Sequence, residues 1–223
     1  MPPAAPATTL TRVRVWDVPT RLVHWLFVVL IPFSWWTAHS DHLPWHRLSG
    51  YALLGLVLFR LIWGVWGSPT SRFANFLRGP AAVRAYLAGG ARAVIGHNPL
   101  GAWSVVALLI ALAAQLTLGL FSIDEDSLEG GPLTAFISFD TGRRIAHLHH
   151  LVFWLLFALI VLHLAAIGVY ALRRRNLVGP MITGVATAPP DLDTPPLVAA
   201  WRVAPAAAVA AGLTFFIAHG LKL

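Results

Sequence analysis

The strongest chemical signal in the sequence is a group of histidines within a long apolar stretch, residues 147–172. A membrane-spanning helix needs about 20 apolar residues, and an imidazole at membrane depth is costly enough to indicate a function. His149 and His163 are fourteen residues apart. At roughly 3.6 residues per turn this is close to four whole turns, so both rings leave one helix face, about 21 Å apart along the axis. The stretch therefore predicts one ligand-type side chain near each side of a membrane.

Two earlier apolar stretches each carry a histidine near one end. His24 lies in the first two turns of the first stretch, and His46 lies in the first turn of the second. The two stretches follow each other directly, so they must cross a membrane in opposite directions and their histidines belong to opposite faces. His24 then matches the depth of His163, and His46 matches the depth of His149. The sequence predicts two pairs of histidines, one pair in each leaflet.

Paired imidazoles suit a low-spin b-type haem, because they supply one neutral nitrogen to each face of the iron. The chain has no cysteine, which excludes disulfides, thiolate iron–sulfur clusters and covalent C-x-x-C-H haem attachment. Zinc is the weaker prediction, because its sites need three or four converging ligands. We therefore predict two noncovalently bound haem b groups, each with two histidine ligands.

Two further residues fit this interpretation. Arg60 lies deep in the second apolar stretch and needs an anionic partner there, which a haem propionate would provide. Gly50, in the same stretch, would let a flat macrocycle approach the helix backbone. For the cluster of His147, His149 and His150, the alternative is a hydrated patch at the mouth of a helix, which these residues by themselves leave open.

The composition is that of a membrane protein, since 57% of the 223 residues are hydrophobic and 11% are charged. We predict an all-α, integral membrane four-helix bundle with a fifth, carboxy-terminal transmembrane helix. The predicted helices are Asp17–Ala38, Trp45–Trp66, Pro99–Phe121 capped by Asn98, His147–Leu172 and Leu197–Leu221, with a short interfacial helix at Pro80–Leu87. Residues 176–196 form a polar, Pro-rich link, and the first 11 residues show no signal-peptide pattern.

The net charge of +7 comes from arginines beside the membrane segments, so nucleic acid is not an expected partner. One side of the membrane receives Arg12, Arg14, Arg21, Arg72, Arg78, Arg84, Arg92, Arg173, Arg174 and Arg175. The positive-inside rule places this side, with the amino terminus, in the cytoplasm of a bacterial inner membrane. The other side carries Arg47, Arg143 and Arg144 and an acidic run of Asp124, Glu125, Asp126 and Glu129. A basic c-type cytochrome is one partner that such an acidic run would attract.

Several motifs occur in order along the chain: VRVWDVPTRLVHW (Val13–Trp25), HRLSGY (His46–Tyr51), FRLIWG (Phe59–Gly64), GHNPLG (Gly96–Gly101) and RRRNLVGPMITG (Arg173–Gly184). Together with the two histidines fourteen residues apart, they resemble the bacterial cytochrome b561 family. This family includes the b-type cytochrome subunits of nickel–iron hydrogenases. The resemblance covers roughly residues 12–184, which we predict to be one dihaem domain, and leaves residues 185–223 as a linker and an extra helix.

The resemblance implies a membrane cytochrome that passes electrons between the quinone pool and a redox partner, either a c-type cytochrome or an oxidoreductase subunit. It implies that His24 and His163 ligate one haem, and that His46 and His149 ligate the other. His150 stands where the family commonly has a glutamate. The sequence shows no dedicated quinone motif, and a monomer, a homodimer and a subunit of a larger complex are all compatible with it.

Two alternatives remain at this point. One is a quinone reductase that oxidises superoxide or another small molecule, which would need an open, positively charged path to the outer haem. The other, from a different class, is a non-redox membrane anchor or a transporter of metal ions. The sequence does not decide whether the chain is an enzyme, and it assigns no role to His39, His42, His97, His150 or His219.

Overall fold

The computed structural model describes residues 11–89, 96–124, 129–190, 192 and 196–222. Arg92, Glu125 and Asp126, together with residues 1–10, lie outside the described residues. The helices are α1 (Val18–His39), α2 (Leu43–Trp66), α3 (Phe73–Phe76), α4 (Pro80–Leu87), α5 (Pro99–Phe121), α6 (Phe139–Leu172), α7 (Val178–Thr183) and α8 (Val203–Ala218). Two strands, β1 (Thr11–Arg14) and β2 (Val185–Ala188), complete the regular structure together with short 3-10 turns at Thr134–Phe136 and Ala200–Arg202.

Five described helices are long and apolar enough to cross a membrane: α1, α2, α5, α6, and α8 with the turn before it. The predicted all-α membrane bundle with a fifth carboxy-terminal helix is therefore confirmed. Successive long helices alternate in direction, so α1, α5 and α8 begin on the same side of the bundle, here called the amino-terminal side. The other side, where α2 and α6 begin, is called the opposite side.

Capping residues set the helix starts. Asp17 caps α1 by accepting a hydrogen bond from the Thr20 N–H at 2.9 Å, and Asn98 caps α5 in the predicted way, accepting from the Gly101 N–H at 2.8 Å. Ser138 caps α6, which begins at Phe139 and not at the predicted His147. The prediction was wrong because hydropathy detects only the part of a helix that lies in the membrane.

The length of α6 explains this difference. Its 34 residues span about 51 Å at ~1.5 Å per residue, well beyond a hydrocarbon core of about 30 Å. The first turns therefore extend past the membrane on the opposite side and carry Arg143 and Arg144, which the sequence had suggested to lie in a loop.

The last helix is shorter than the predicted Leu197–Leu221 stretch. Pro205 is tolerated because it lies in the first turn of α8, where no backbone N–H is needed. Arg202 lies just before the helix, donates to the Trp66 carbonyl at 3.3 Å and stacks on the Trp66 ring. Small residues of α8, Ala206 and Ala210, are buried against α1 and α2, where Trp63 is almost completely enclosed.

The bundle consists of two helix hairpins joined along one edge. α1 packs on α2, α5 packs on α6, and α2 contacts both α5 and α8. Between the hairpins lies an apolar layer formed by buried Val57, Ala111, Leu112 and Leu156, with Phe27 among the side chains packed against it. This layer occupies the middle of the bundle and separates the two ends at which the predicted histidine pairs lie.

A small antiparallel ribbon closes the amino-terminal side. β1 pairs with β2, with Thr11 opposite Ala188 and Arg14 opposite Val185. The sequence analysis did not find this ribbon and had assigned the second strand to a link. Strands of four residues are near the short end of what globular proteins use. The ribbon ties the beginning of α1 to the end of the family-like region.

A buried polar cluster lies beside the ribbon and is centred on the Asp17 carboxylate. Besides capping α1, this group accepts a hydrogen bond from the Trp63 indole N–H at 2.8 Å and one from the Ser71 hydroxyl at 3.5 Å. The Ser71 and Thr20 hydroxyls are themselves 2.7 Å apart. Asp17 thus joins α1 to α2 and to the loop that follows α2.

Replacing Asp17 with alanine is expected to lower the free energy of unfolding by about 2–4 kcal/mol. The change removes a helix cap and leaves the buried Trp63 N–H without an acceptor. Thermal unfolding in detergent measures this loss. Asp140→Ala removes an exposed acidic residue from the first turn of α6 and is the control, with little change expected. Equal effects of the two substitutions would contradict the role given to Asp17.

Candidate functional site

On the opposite side, His46 of α2 and His149 of α6 face each other. Their ring centroids are 6.2 Å apart and their planes are nearly perpendicular, at 86°. An imidazole nitrogen lies roughly 2 Å from a bound metal ion, so two imidazoles on opposite sides of one ion place their centroids about 6 Å apart. The spacing of this pair therefore fits a shared metal ion.

The His46 ring is oriented by α1. Its Nδ1 donates a hydrogen bond to the Ser34 carbonyl at 2.8 Å and lies 3.2 Å from the Ser34 hydroxyl. A carbonyl can only accept, so Nδ1 carries the proton and Nε2 keeps its lone pair. This is the tautomer that a metal-binding histidine needs, with its second nitrogen tied to the protein.

The His149 ring is oriented by α5 in the same way. Its Nδ1 donates to the Gln115 carbonyl at 2.9 Å, and Gly119 makes this contact possible. A Cβ atom on Gly119 would lie 3.1 Å from Cε1 and 3.4 Å from Nδ1 of His149. The side-chain amide of Gln115 reaches the other ring nitrogen, with 3.1 Å between its Nε2 and Nε2 of His149.

The neighbouring histidines point elsewhere. His147 and His150 are exposed, whereas His149 is half-buried. His150 Nε2 accepts a hydrogen bond from the Trp154 indole at 3.2 Å, one turn further along α6. The helical phase therefore turns His149 toward α2, as the sequence predicted. The alternative of a hydrated patch fits His147 and His150 but not His149.

A cleft of about 310 Å³ opens between α1, α2, α5 and α6 and contains both rings of this pair. Gly50 lines it, and a Cβ atom added there would meet no atom within 4 Å. The backbone of α2 is thus uncovered by a side chain where it faces the cleft. Two tethered neutral imidazoles, a bare helix surface and apolar walls together suit a noncovalently held haem.

On the amino-terminal side, His24 of α1 and His163 of α6 are both half-buried and interact electrostatically. His24 Nδ1 is enclosed and has no hydrogen-bond partner among the described residues. A buried polar nitrogen without a partner is uncommon in proteins and is costly. His24 and His163, which the sequence placed at similar depth, thus lie close enough to interact, and His24 Nδ1 is available to a ligand.

Arg60 lies near this second pair and is buried, with 5% of its surface exposed. Its guanidinium donates to the Ser71 carbonyl at 3.2 Å and stacks on the Phe73 ring. The sequence analysis had suggested a haem propionate as the anion beside Arg60, but the chain itself supplies one, because the Asp17 carboxylate interacts electrostatically with Arg60. This contact was not visible from the sequence, since Asp17 belongs to a different helix.

His97, to which the sequence gave no role, lies in the same region. Its ring is held between Trp16 and Phe76, with centroids 4.6 Å and 4.5 Å away, and its Nδ1 has no partner among the described residues. Burial, with smaller effects of Arg60 and His163, lowers the pKa of His97 to about 3. His97 is therefore a neutral ring with one free nitrogen close to the amino-terminal pair.

Two further arginines near the histidine pairs contact protein groups. Arg47 forms an ion pair with Glu129 at 2.8 Å, and Arg21 donates to the Ile182 carbonyl in α7. Among the described residues, no group of three or more histidine or acidic side chains converges to hold a metal ion.

The sequence profile of the prokaryotic cytochrome b561 family matches residues 15–184, well over half of the chain. Neither a curated protein nor a solved structure matches the chain. The matched region contains both histidine pairs, the cleft and Arg60, and ends just before β2. The chain therefore belongs to the prokaryotic cytochrome b561 family, and it is a multi-pass membrane protein with a role in electron transfer through b-type haem.

Proposed function

We propose that the chain binds two b-type haems and transfers electrons across the membrane between the quinone pool and a redox partner. His46 and His149 would hold one haem, and His24 and His163 the other. The observation that supports this most directly is the opposite-side pair, with ring centroids 6.2 Å apart. The Nδ1 atoms of both rings donate to backbone carbonyls, which leaves Nε2 of each ring as the nitrogen that would face the cofactor.

When bound, each haem would supply a reversible one-electron couple, and one pair of imidazoles would hold it. The protein's part is to hold and orient the two rings. Ser34 and Gln115 do so through their carbonyls, which fix the tautomer and raise the basicity of the ligand nitrogen. Gly50 leaves the space that a flat cofactor needs beside α2.

The apolar layer between the two pairs supports transfer across the bundle. The two histidines on α6 are fourteen residues apart, about 21 Å along the helix, and buried apolar side chains, among them Val57 and Leu156, pack in the layer between them. Two cofactors at these depths would approach each other more closely at their edges than at their centres.

We propose that the amino-terminal side faces the cytoplasm of a bacterial inner membrane. Most described arginines lie there, including the run at residues 173–175. On the opposite side, Arg47 is paired with Glu129. The excess of arginines on the amino-terminal side is what the positive-inside rule predicts for a cytoplasmic face.

This orientation determines the side of the membrane from which a partner would approach. A c-type cytochrome would approach from the opposite side, where the loop with Asp124 and Glu129 adjoins the cleft. Oxidation of a small anion there is the weaker candidate, because the Arg47–Glu129 ion pair reduces the positive charge at the cleft. A metal transporter is disfavoured by the family assignment.

Single substitutions of the four histidines are expected to fall into two pairs, and both substitutions of a pair should remove the same haem. Changing His46 or His149 to alanine should abolish the same spectral component, and changing His24 or His163 should abolish the other, because each haem loses one axial nitrogen. The measurement is a reduced-minus-oxidised optical spectrum with haem counted per chain. His150→Ala is the matched control and should keep both haems. A protein with no haem, or with one haem that survives His46→Ala, would refute the proposal.

Replacing Gly119 with valine is expected to disturb only the opposite-side haem. The added side chain would occupy the space of the His149 ring and break its bond to the Gln115 carbonyl. Haem content should fall toward one per chain, with the remaining spectrum that of the amino-terminal pair. Gly168→Val is the control, because a Cβ atom on Gly168 meets no atom within 4 Å. Two intact haems in the Gly119 variant would show that this close approach is not needed.

A further inference from the structure

Gln115 is a polar residue in the apolar helix α5, and both its main chain and its side chain engage His149. The carbonyl accepts from Nδ1 at 2.9 Å, and the side-chain amide lies 3.1 Å from Nε2. Because Nδ1 carries the proton, Nε2 must be the acceptor and the amide N–H₂ the donor. Nε2 has one lone pair. It can accept from the amide or bind iron, but not both.

The other end of the same amide is unsatisfied. Gln115 Oε1 is enclosed and has no hydrogen-bond partner among the described residues. A buried acceptor without a partner costs free energy, and at membrane depth no lipid group replaces it. The side chain therefore stays in this position because of its bond to His149 and gains nothing else there.

The two histidine pairs differ in this respect. Within the described part of the chain, no side chain donates to a ring nitrogen of His24 or His163, and His24 Nδ1 lacks any partner. On the amino-terminal side a ligand would meet free nitrogens. On the opposite side it would first have to displace an amide.

We propose that Gln115 is a positioning residue that caps the ligand nitrogen of His149 until haem displaces it. The backbone carbonyl keeps the ring aligned throughout, while the side chain competes with the cofactor for Nε2. Haem is consequently held less tightly on the opposite side than this pair of histidines would allow, and this site fills second. The inference rests on the proposed binding of haem by His46 and His149.

The test measures haem retention by the full-length holoprotein in detergent, with excess apomyoglobin as the haem acceptor. A hydrogen bond with a net worth of about 1 kcal/mol corresponds to roughly a fivefold change in an equilibrium constant. Gln115→Leu and Gln115→Met should therefore raise the retained-to-transferred ratio of the opposite-side haem about fivefold. The Gln115 substitutions are also made in a His24→Ala protein, which would keep only the opposite-side haem, and in a His46→Ala protein, which would keep only the other haem. Retention should rise in the His24→Ala protein and stay unchanged in the His46→Ala protein.

Thr117→Val is the matched control. Thr117 lies two residues along α5, is exposed and bonds only its own helix at the Ala113 carbonyl, so retention should not change. A residue that merely supported the fold would lower retention when replaced, so the expected gain separates the two roles. Unchanged or lower retention in both Gln115 variants overturns the inference and leaves the two-haem proposal intact. A wild-type protein without haem on the opposite side refutes both.

Discussion

An imidazole that binds a metal ion inside a membrane is oriented when its second nitrogen donates to an acceptor of the protein, because no water is present to provide one. On the opposite side of this bundle the acceptors are carbonyls of two neighbouring helices, those of Ser34 and Gln115. A helix carbonyl already accepts a hydrogen bond within its own helix, so an imidazole from a neighbouring helix can reach it only where no bulky side chain covers the backbone. Gly119 leaves the backbone of α5 accessible to His149, and the close packing of α1 on α2 brings the Ser34 carbonyl within reach of His46.

Residue type and spacing led to the proposal of two histidine pairs, since helical period and membrane depth can be read along a single segment. The residues that orient the rings could not be predicted, because they depend on how each helix is rotated against its neighbour. Gln115 alone carried a visible signal, as an amide within the apolar run of α5. Its carbonyl and Gly119 offered none.

The same distinction applies to the fold. Asn98 before Pro99 located the start of α5, because capping is a local interaction. Hydropathy could not locate the start of α6, which extends into water, nor the ribbon between residues 11–14 and 185–188, whose strands are distant in sequence. The anion beside Arg60 was missed for a related reason, since Asp17 was recognised only as the beginning of a helix.

The position of α8 restricts how this protein is approached by others. It covers the face of α2 that α1 and α5 leave open, so the central helix of the bundle is surrounded by its own chain on three sides. In contrast, α6 carries one histidine of each pair and turns Trp154, Leu155 and Leu162 outward. A neighbouring subunit that packed against the carboxy-terminal helix would be kept away from α2 by the width of that helix.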